Sequence, residues 1–203
     1  MPSCRHAVAS RRLWAAASAL ALLLAACEDL TIPGGSLPTD DLLMLPLASS
    51  APAPASVSFY LSNAHASTRN LIHNDGFNTL FARLEVPAGG LTTLDGTSLG
   101  PDDSVLVTLT ADPGVYGIRL SPDGLRFTTL GGPRLTFSYV KYGNLTVADG
   151  SRYADQTAYA NALDVWRETS LDRWVTIGGS GAALSDIATN LSQAGHYVVA
   201  ASR

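Results

Sequence analysis

The chain has 203 residues, with 17 Asp and Glu against 13 Lys and Arg, and 46% of its residues are hydrophobic. An acidic protein has no electrostatic attraction to phosphate backbones, which excludes nucleic acid as a partner. Its two cysteines are Cys4 and Cys27, so everything after residue 27 lacks the thiols for a disulfide, a thiolate zinc site or a cysteine nucleophile.

Arg5, Arg11 and Arg12 precede an apolar run from Leu13 to Ala26, which closes on Leu24-Ala25-Ala26 and is followed by Cys27. The run is 14 residues long, short of the roughly 20 a membrane-spanning helix needs. A basic start, an apolar middle and a small-residue end make residues 1–26 a secretory signal. Leu24-Ala25-Ala26-Cys27 resembles the lipobox of bacterial lipoproteins. The resemblance implies cleavage before Cys27, a diacylglyceryl group on its sulfur and often a further acyl chain, such as palmitate, on its amine. Two or more chains hold a protein stably in a bilayer where one does so only marginally. The expected location is therefore the cell envelope, with the outer membrane or cell surface ahead of the inner membrane. Ser10-Arg11-Arg12-Leu13-Trp14 is also similar to a twin-arginine export signal, so the export route stays open. All acidic residues lie after residue 26 and three basic ones before it, leaving ten basic against 17 acidic residues in the mature chain.

Residues 27–56 are rich in Pro, Ala and Ser, ending Ser49-Ser50-Ala51-Pro52-Ala53-Pro54-Ala55, and are expected to form a flexible tether. Leu42-Leu43-Met44-Leu45 interrupts it. Docking on the domain, contact with the bilayer and a short strand all remain open for this patch. Residues 57–203 are ample for one domain with its own core.

Within that domain the dominant period is two. Val57/Phe59/Leu61, Leu80/Ala82/Leu84/Val86, Val105/Val107/Leu109, Tyr116/Ile118/Leu120 and Leu135/Phe137/Tyr139 each share a face. Leu163–Trp166, Trp174–Ile177 and His196–Ala201 add three more strand-like runs. Turn signals separate the runs, among them Asp75-Gly76, Asp95-Gly96, Asp112-Pro113-Gly114, Pro122-Asp123-Gly124 and Asp149-Gly150. Alternation over four to seven residues with such punctuation predicts an all-β antiparallel sandwich or barrel. One short helix is expected, around Asp155 to Ala162.

Three segments carry a family resemblance: Val86-Pro87-Ala88-Gly89-Gly90-Leu91, Tyr116 through Phe127 with its Pro122-Asp123-Gly124-Leu125-Arg126-Phe127, and Leu135-Thr136-Phe137-Ser138-Tyr139. They are similar to the core of the ZU-five domain of ankyrins, netrin receptors and zonula-occludens proteins. The resemblance implies an immunoglobulin-like or ZU-five-like β-sandwich and a role in binding. Some relatives cleave themselves at a His-Phe-Ser step. Leu191-Ser192-Gln193-Ala194-Gly195 occupies that place here, so self-cleavage is not implied.

Candidate chemistry is sparse. Gly178-Gly179-Ser180-Gly181 superficially matches a nucleophile loop, with His196 and Asp186 as partners, but lacks the strand-turn-helix context of a hydrolase elbow. His65, His73 and His196 have no metal-ligand spacing, and no metal or cofactor is expected. Asp102, Asp103 and Asp112 are clustered acids without a calcium-loop pattern. Glu85 and Glu168 would have to face one cleft to act as a glycosidase pair.

The aromatics Tyr60, Phe81, Tyr139, Tyr142, Tyr153, Tyr159, Trp166 and Trp174 serve a core, or an exposed β face that stacks on sugars or anchors a protein. Trp166 and Trp174 flank the turn Thr169-Ser170-Leu171-Asp172, which makes that hairpin the expected contact surface. The sequence reading is thus a membrane-anchored, non-enzymatic binding or adhesion protein whose partner is an envelope protein or polysaccharide. The alternatives are an accessory lipoprotein of a secretion or surface assembly, and a membrane-tethered hydrolase.

Overall fold

The computed structural model describes residues 35–146, 152–181 and 184–203, so the signal segment and Cys27 lie outside the described residues. Strands β1 (Leu37–Pro38) and β2 (Leu42–Met44) flank a short 3-10 turn, and β3 (Val57–Ser62) and β4 (Ser67–Ile72) follow. Next come β5 (Leu80–Val86), β6 (Leu91–Leu94), β7 (Thr97–Ser98), β8 (Ser104–Ala111) and β9 (Gly117–Ser121). After β10 (Leu125–Phe127) and β11 (Arg134–Ser138), the helix α1 (Gln156–Ala162) precedes β12 (Asp164–Ser170), β13 (Arg173–Thr176), β14 (Asp186–Asn190) and β15 (Gly195–Ser202). The Asp155 carboxylate accepts the Ala158 N–H and caps α1, which lies where the sequence placed a helix.

The protein is all-β in character, and its strands pair antiparallel throughout. The largest sheet runs β1-β13-β12-β15-β9-β8-β3, with β2 joined to β15. A four-stranded sheet runs β14-β11-β5-β4 and a three-stranded one β10-β6-β7. Their inner faces share one core. Val107, Leu109, Ile118, Leu120, Tyr197 and Val199 come from the large sheet, Phe81, Leu84, Leu135 and Phe137 from the four-stranded one. Leu91, Leu125 and Phe127 of the three-stranded sheet complete it. Each fully buried side chain of this size contributes about 1.5–3 kcal/mol through removal from water.

The domain boundary differs from the sequence expectation. The compact unit begins at Ser36, not at Val57, so residues 36–56 are not a free tether. Met44, Leu43 and Leu42 pair with Ala200, Ala201 and Ser202. Leu45 is fully buried and exchanges backbone bonds with Val199 and Tyr116. The Leu-rich patch is therefore a strand of the large sheet. Its four apolar residues outweigh the flanking Pro, Ala and Ser that made the segment read as a linker.

Candidate functional site

The large sheet has an outer face as well as an inner one, because alternate residues of each strand point opposite ways. On β15, Tyr197, Val199 and Ala201 join the main core, while Val198 and Ala200 join a second cluster with Leu42, Trp166 and Trp174. Leu37 and Met44 pack against this second cluster. Trp166 and Trp174 are only 8% and 3% exposed. The Trp166 indole N–H donates to the Ala200 carbonyl at 3.0 Å, and that of Trp174 to Thr39 Oγ1 at 2.9 Å. The hairpin expected as the contact surface is thus already covered, by the segment that was read as a tether.

Beside this cluster sits His196, flanked by two carboxylates. Its Nε2 lies 2.6 Å from Asp112 Oδ2 and its Nδ1 2.8 Å from Glu168 Oε2. Arg119 Nη2 approaches the same Nδ1 at 3.2 Å and Glu168 at 3.8 Å, and the Trp174 ring meets the imidazole edge-on at 4.9 Å. Three strands and a turn converge here: His196 on β15, Glu168 on β12, Arg119 on β9, and Asp112 just after β8.

Gly117 makes the approach feasible, since a Cβ there would collide with the Asp112 carboxylate and with Val198. Burial alone would lower the His196 pKa, but the bonds to Asp112 and Glu168 prevail and raise it. Protonated, Nδ1 donates to Glu168; deprotonated, it can accept from Arg119 instead. The cluster is an electrostatic clamp that ties the β8–β9 turn to the sheet.

A second constellation surrounds Asp75, in the loop between β4 and β5. Its Oδ1 accepts the N–H groups of Phe77 (2.9 Å) and Thr79 (3.4 Å). Its Oδ2 accepts from the Thr79 hydroxyl, from Lys141 Nζ at 2.9 Å and from the Tyr142 hydroxyl at 3.2 Å. The Thr79 bond above all, with those of Lys141, Phe77 and Thr79 N–H, holds the carboxyl well below its ordinary range despite the opposing effect of desolvation.

This hub fixes a loop whose apex presents Phe77, 81% exposed, with Lys141 Nζ 5.0 Å from the centre of its ring. Val140, beside Lys141, is also exposed. Behind the loop, the rings of His73, Phe81, Tyr116 and Tyr142 pack edge-to-face or stacked, and His73 Nδ1 bonds the Pro52 carbonyl at 2.8 Å.

The other candidates separate. Ser180 bridges Ala188 of β14, whereas His196 belongs to the large sheet and is occupied by Asp112 and Glu168. Asp103 and Asp112 stand at opposite ends of β8, and Asp103 accepts the Gly100 N–H at 2.6 Å. Glu85 lies on β5 of the four-stranded sheet and Glu168 on β12 of the large one. His65 is exposed in the β3–β4 loop and His73 is buried. Among the described residues, no group of three or more His, Cys, Asp or Glu is arranged to hold a metal ion.

Of the aromatics, Phe81, Tyr139 and Tyr159 are core residues, while Tyr60 is 66% exposed. The sequence shows Asp75 only as a turn residue before Gly76, and it singles out neither Phe77 nor Lys141. The signal available was an aromatic inside a turn rather than in an alternating run. No family, curated protein or solved structure matches this chain.

Proposed function

We propose that this chain is a lipid-anchored envelope protein whose β-sandwich, of immunoglobulin-like or ZU-five-like character, is a non-enzymatic binding module. The observation that carries the binding role is the Phe77 loop: a large apolar ring is held in water by five hydrogen bonds to one carboxylate. An exposed ring on an immobilised loop loses little entropy when a partner covers it, which is the character of an interface anchor.

The Leu24-Ala25-Ala26-Cys27 run supports the anchor. The sandwich reading is supported by the two larger sheets contributing to one core, and by Leu125, Phe127, Leu135 and Phe137 all being buried within the motif segments. Separate placement of Ser180 and His196 supports a role without catalysis.

Mass spectrometry of the purified native protein tests the anchor, with an acylated Cys27 as the first residue expected. Photocrosslinking from position 77 in intact envelopes tests the binding role. One discrete adduct that Asp75→Ala abolishes is expected. An unmodified Cys27 would remove the anchor, and an absence of any adduct would remove the contact surface.

A further inference from the structure

The outer face of the large sheet continues past the His196 cluster onto β9, β8 and β3, where it carries hydroxyls around one exposed ring. Tyr60 and Leu106 stand opposite each other in the β3–β8 register and are 66% and 52% exposed. One step along the face, Ser58 and Thr108 are opposite and their hydroxyls lie 2.8 Å apart. Beyond them the Ser56 hydroxyl donates to Thr110 Oγ1 at 3.3 Å. On β9, Ser121 is opposite Thr108 and Arg119 opposite Thr110. Ser62 and Ser104 close the other end.

Between Ser104 and Thr110 the outward positions of β3 and β8 therefore carry one ring, one aliphatic side chain and hydroxyls, with no charge. A solvated antiparallel face carries polar residues, and here they are uncharged hydroxyls arrayed around one exposed ring, which suits a neutral ligand itself rich in hydroxyls. A protein partner would match a contiguous apolar patch, but Tyr60 and Leu106 are isolated among hydroxyls. A polyanion is disfavoured by the excess of acidic residues in the mature chain. An anionic lipid surface would want a basic cluster, and Arg119 is engaged with Glu168.

We propose that this face binds a neutral polysaccharide. Tyr60 stacks on the C–H face of one sugar ring, and the Ser58/Thr108 and Ser56/Thr110 pairs exchange hydrogen bonds with the hydroxyls of its neighbours. From the Tyr60 level to the Thr110 level is about 13 Å, so several sugars are contacted along the strand direction. The choice of an envelope polymer rests on the anchored placement proposed above; the recognition chemistry of the face does not.

The test is native electrophoresis of the purified full-length protein, in neutral detergent, through gels containing dextran, amylose, mannan or hydroxyethyl-cellulose. At least one polymer should retard the protein, Tyr60→Ala should weaken that retardation about tenfold, and Leu130→Ala, at an exposed residue outside this face, should leave it unchanged. Melting curves establish that each variant is folded.

Retardation by none of the four polymers overturns the proposal, and so does a folded Tyr60→Ala that migrates as the wild type. A wild-type dimer that Tyr60→Ala converts to monomer also overturns it, making the face an interface between copies. Mass spectrometry of Cys27 in the same preparation separates this outcome from the anchor. An unlipidated protein that is still retarded keeps the sugar site and loses the membrane.

Discussion

Trp174 donates its indole N–H to Thr39 Oγ1 at 2.9 Å, across 135 residues of chain. That bond joins the hairpin β12–β13 to the segment leading back toward Cys27. Beside it, the backbone of Thr39 donates to the Asp172 carbonyl at 3.2 Å, and Leu37 pairs with Trp174. Deleting the hydroxyl leaves the indole donor of a buried tryptophan without its acceptor. Thr39→Ala should lower stability by about 1 kcal/mol, and Thr39→Ser should restore it. Urea denaturation followed by tryptophan emission reads both values. A larger effect, about 2–5 kcal/mol, is expected for Leu45→Ala, because Leu45 is fully buried in the main core.

The same segment shows where sequence reasoning succeeds and where it stops. Val105/Val107/Leu109 and Tyr116/Ile118/Leu120 alternate cleanly because each strand has one face in the core and one toward water. β4 shows no such pattern: Ser67, Thr68, Arg69 and Asn70 make an edge strand with Leu71 as its buried residue. Composition hid β2, since four apolar residues amid Pro and Ser fit equally well on a bilayer or on a sheet. Trp166 and Trp174 fall in one buried cluster across their hairpin, but their burial depends on that hidden strand. The Asp112–His196–Glu168 cluster joins residues up to 84 positions apart, so nothing local announces it.

His196 makes stability depend on pH in a defined direction. Its folded pKa lies above the ordinary 6.5, because hydrogen bonds to Asp112 and Glu168 outweigh desolvation. The stabilisation from its proton is therefore complete below about pH 6.5 and is lost as pH rises through the folded pKa. The wild type should melt at progressively lower temperature above neutrality, and His196→Gln should show a flatter profile over the same window. A wild-type profile that rises above pH 7 would contradict the clamp.

Gly117 offers a test of the same clamp without touching a charge. A methyl group there meets the Asp112 carboxylate and Val198, so Gly117→Ala must displace the Asp112 side chain from its place against His196. The expected cost is about 1–3 kcal/mol, the range for overpacking a tight contact. It should also weaken the pH dependence assigned to His196, because Asp112 can no longer reach Nε2 while Glu168 still holds Nδ1. Combining Gly117→Ala with His196→Gln should then cost less than the sum of the two, which a double-mutant cycle on melting free energies measures.

Asp75 acts in the opposite pH range. Bonds led by the Thr79 hydroxyl hold its folded pKa below the ordinary 3.8. Its contribution is thus present above about pH 3.8 and fades as acid titrates the carboxylate through its folded pKa. Asp75→Ala removes five hydrogen-bond acceptor contacts at once and frees Lys141, Thr79 and the Phe77 N–H. Global stability should fall by a few degrees of melting temperature, since the loop lies at the surface. Chymotrypsin should cleave after Phe77 at least several-fold faster in the variant than in the wild type, because local opening limits access to that bond. Equal cleavage rates would mean that the loop keeps its conformation without the carboxylate, and the rigid presentation of Phe77 would have to come from elsewhere.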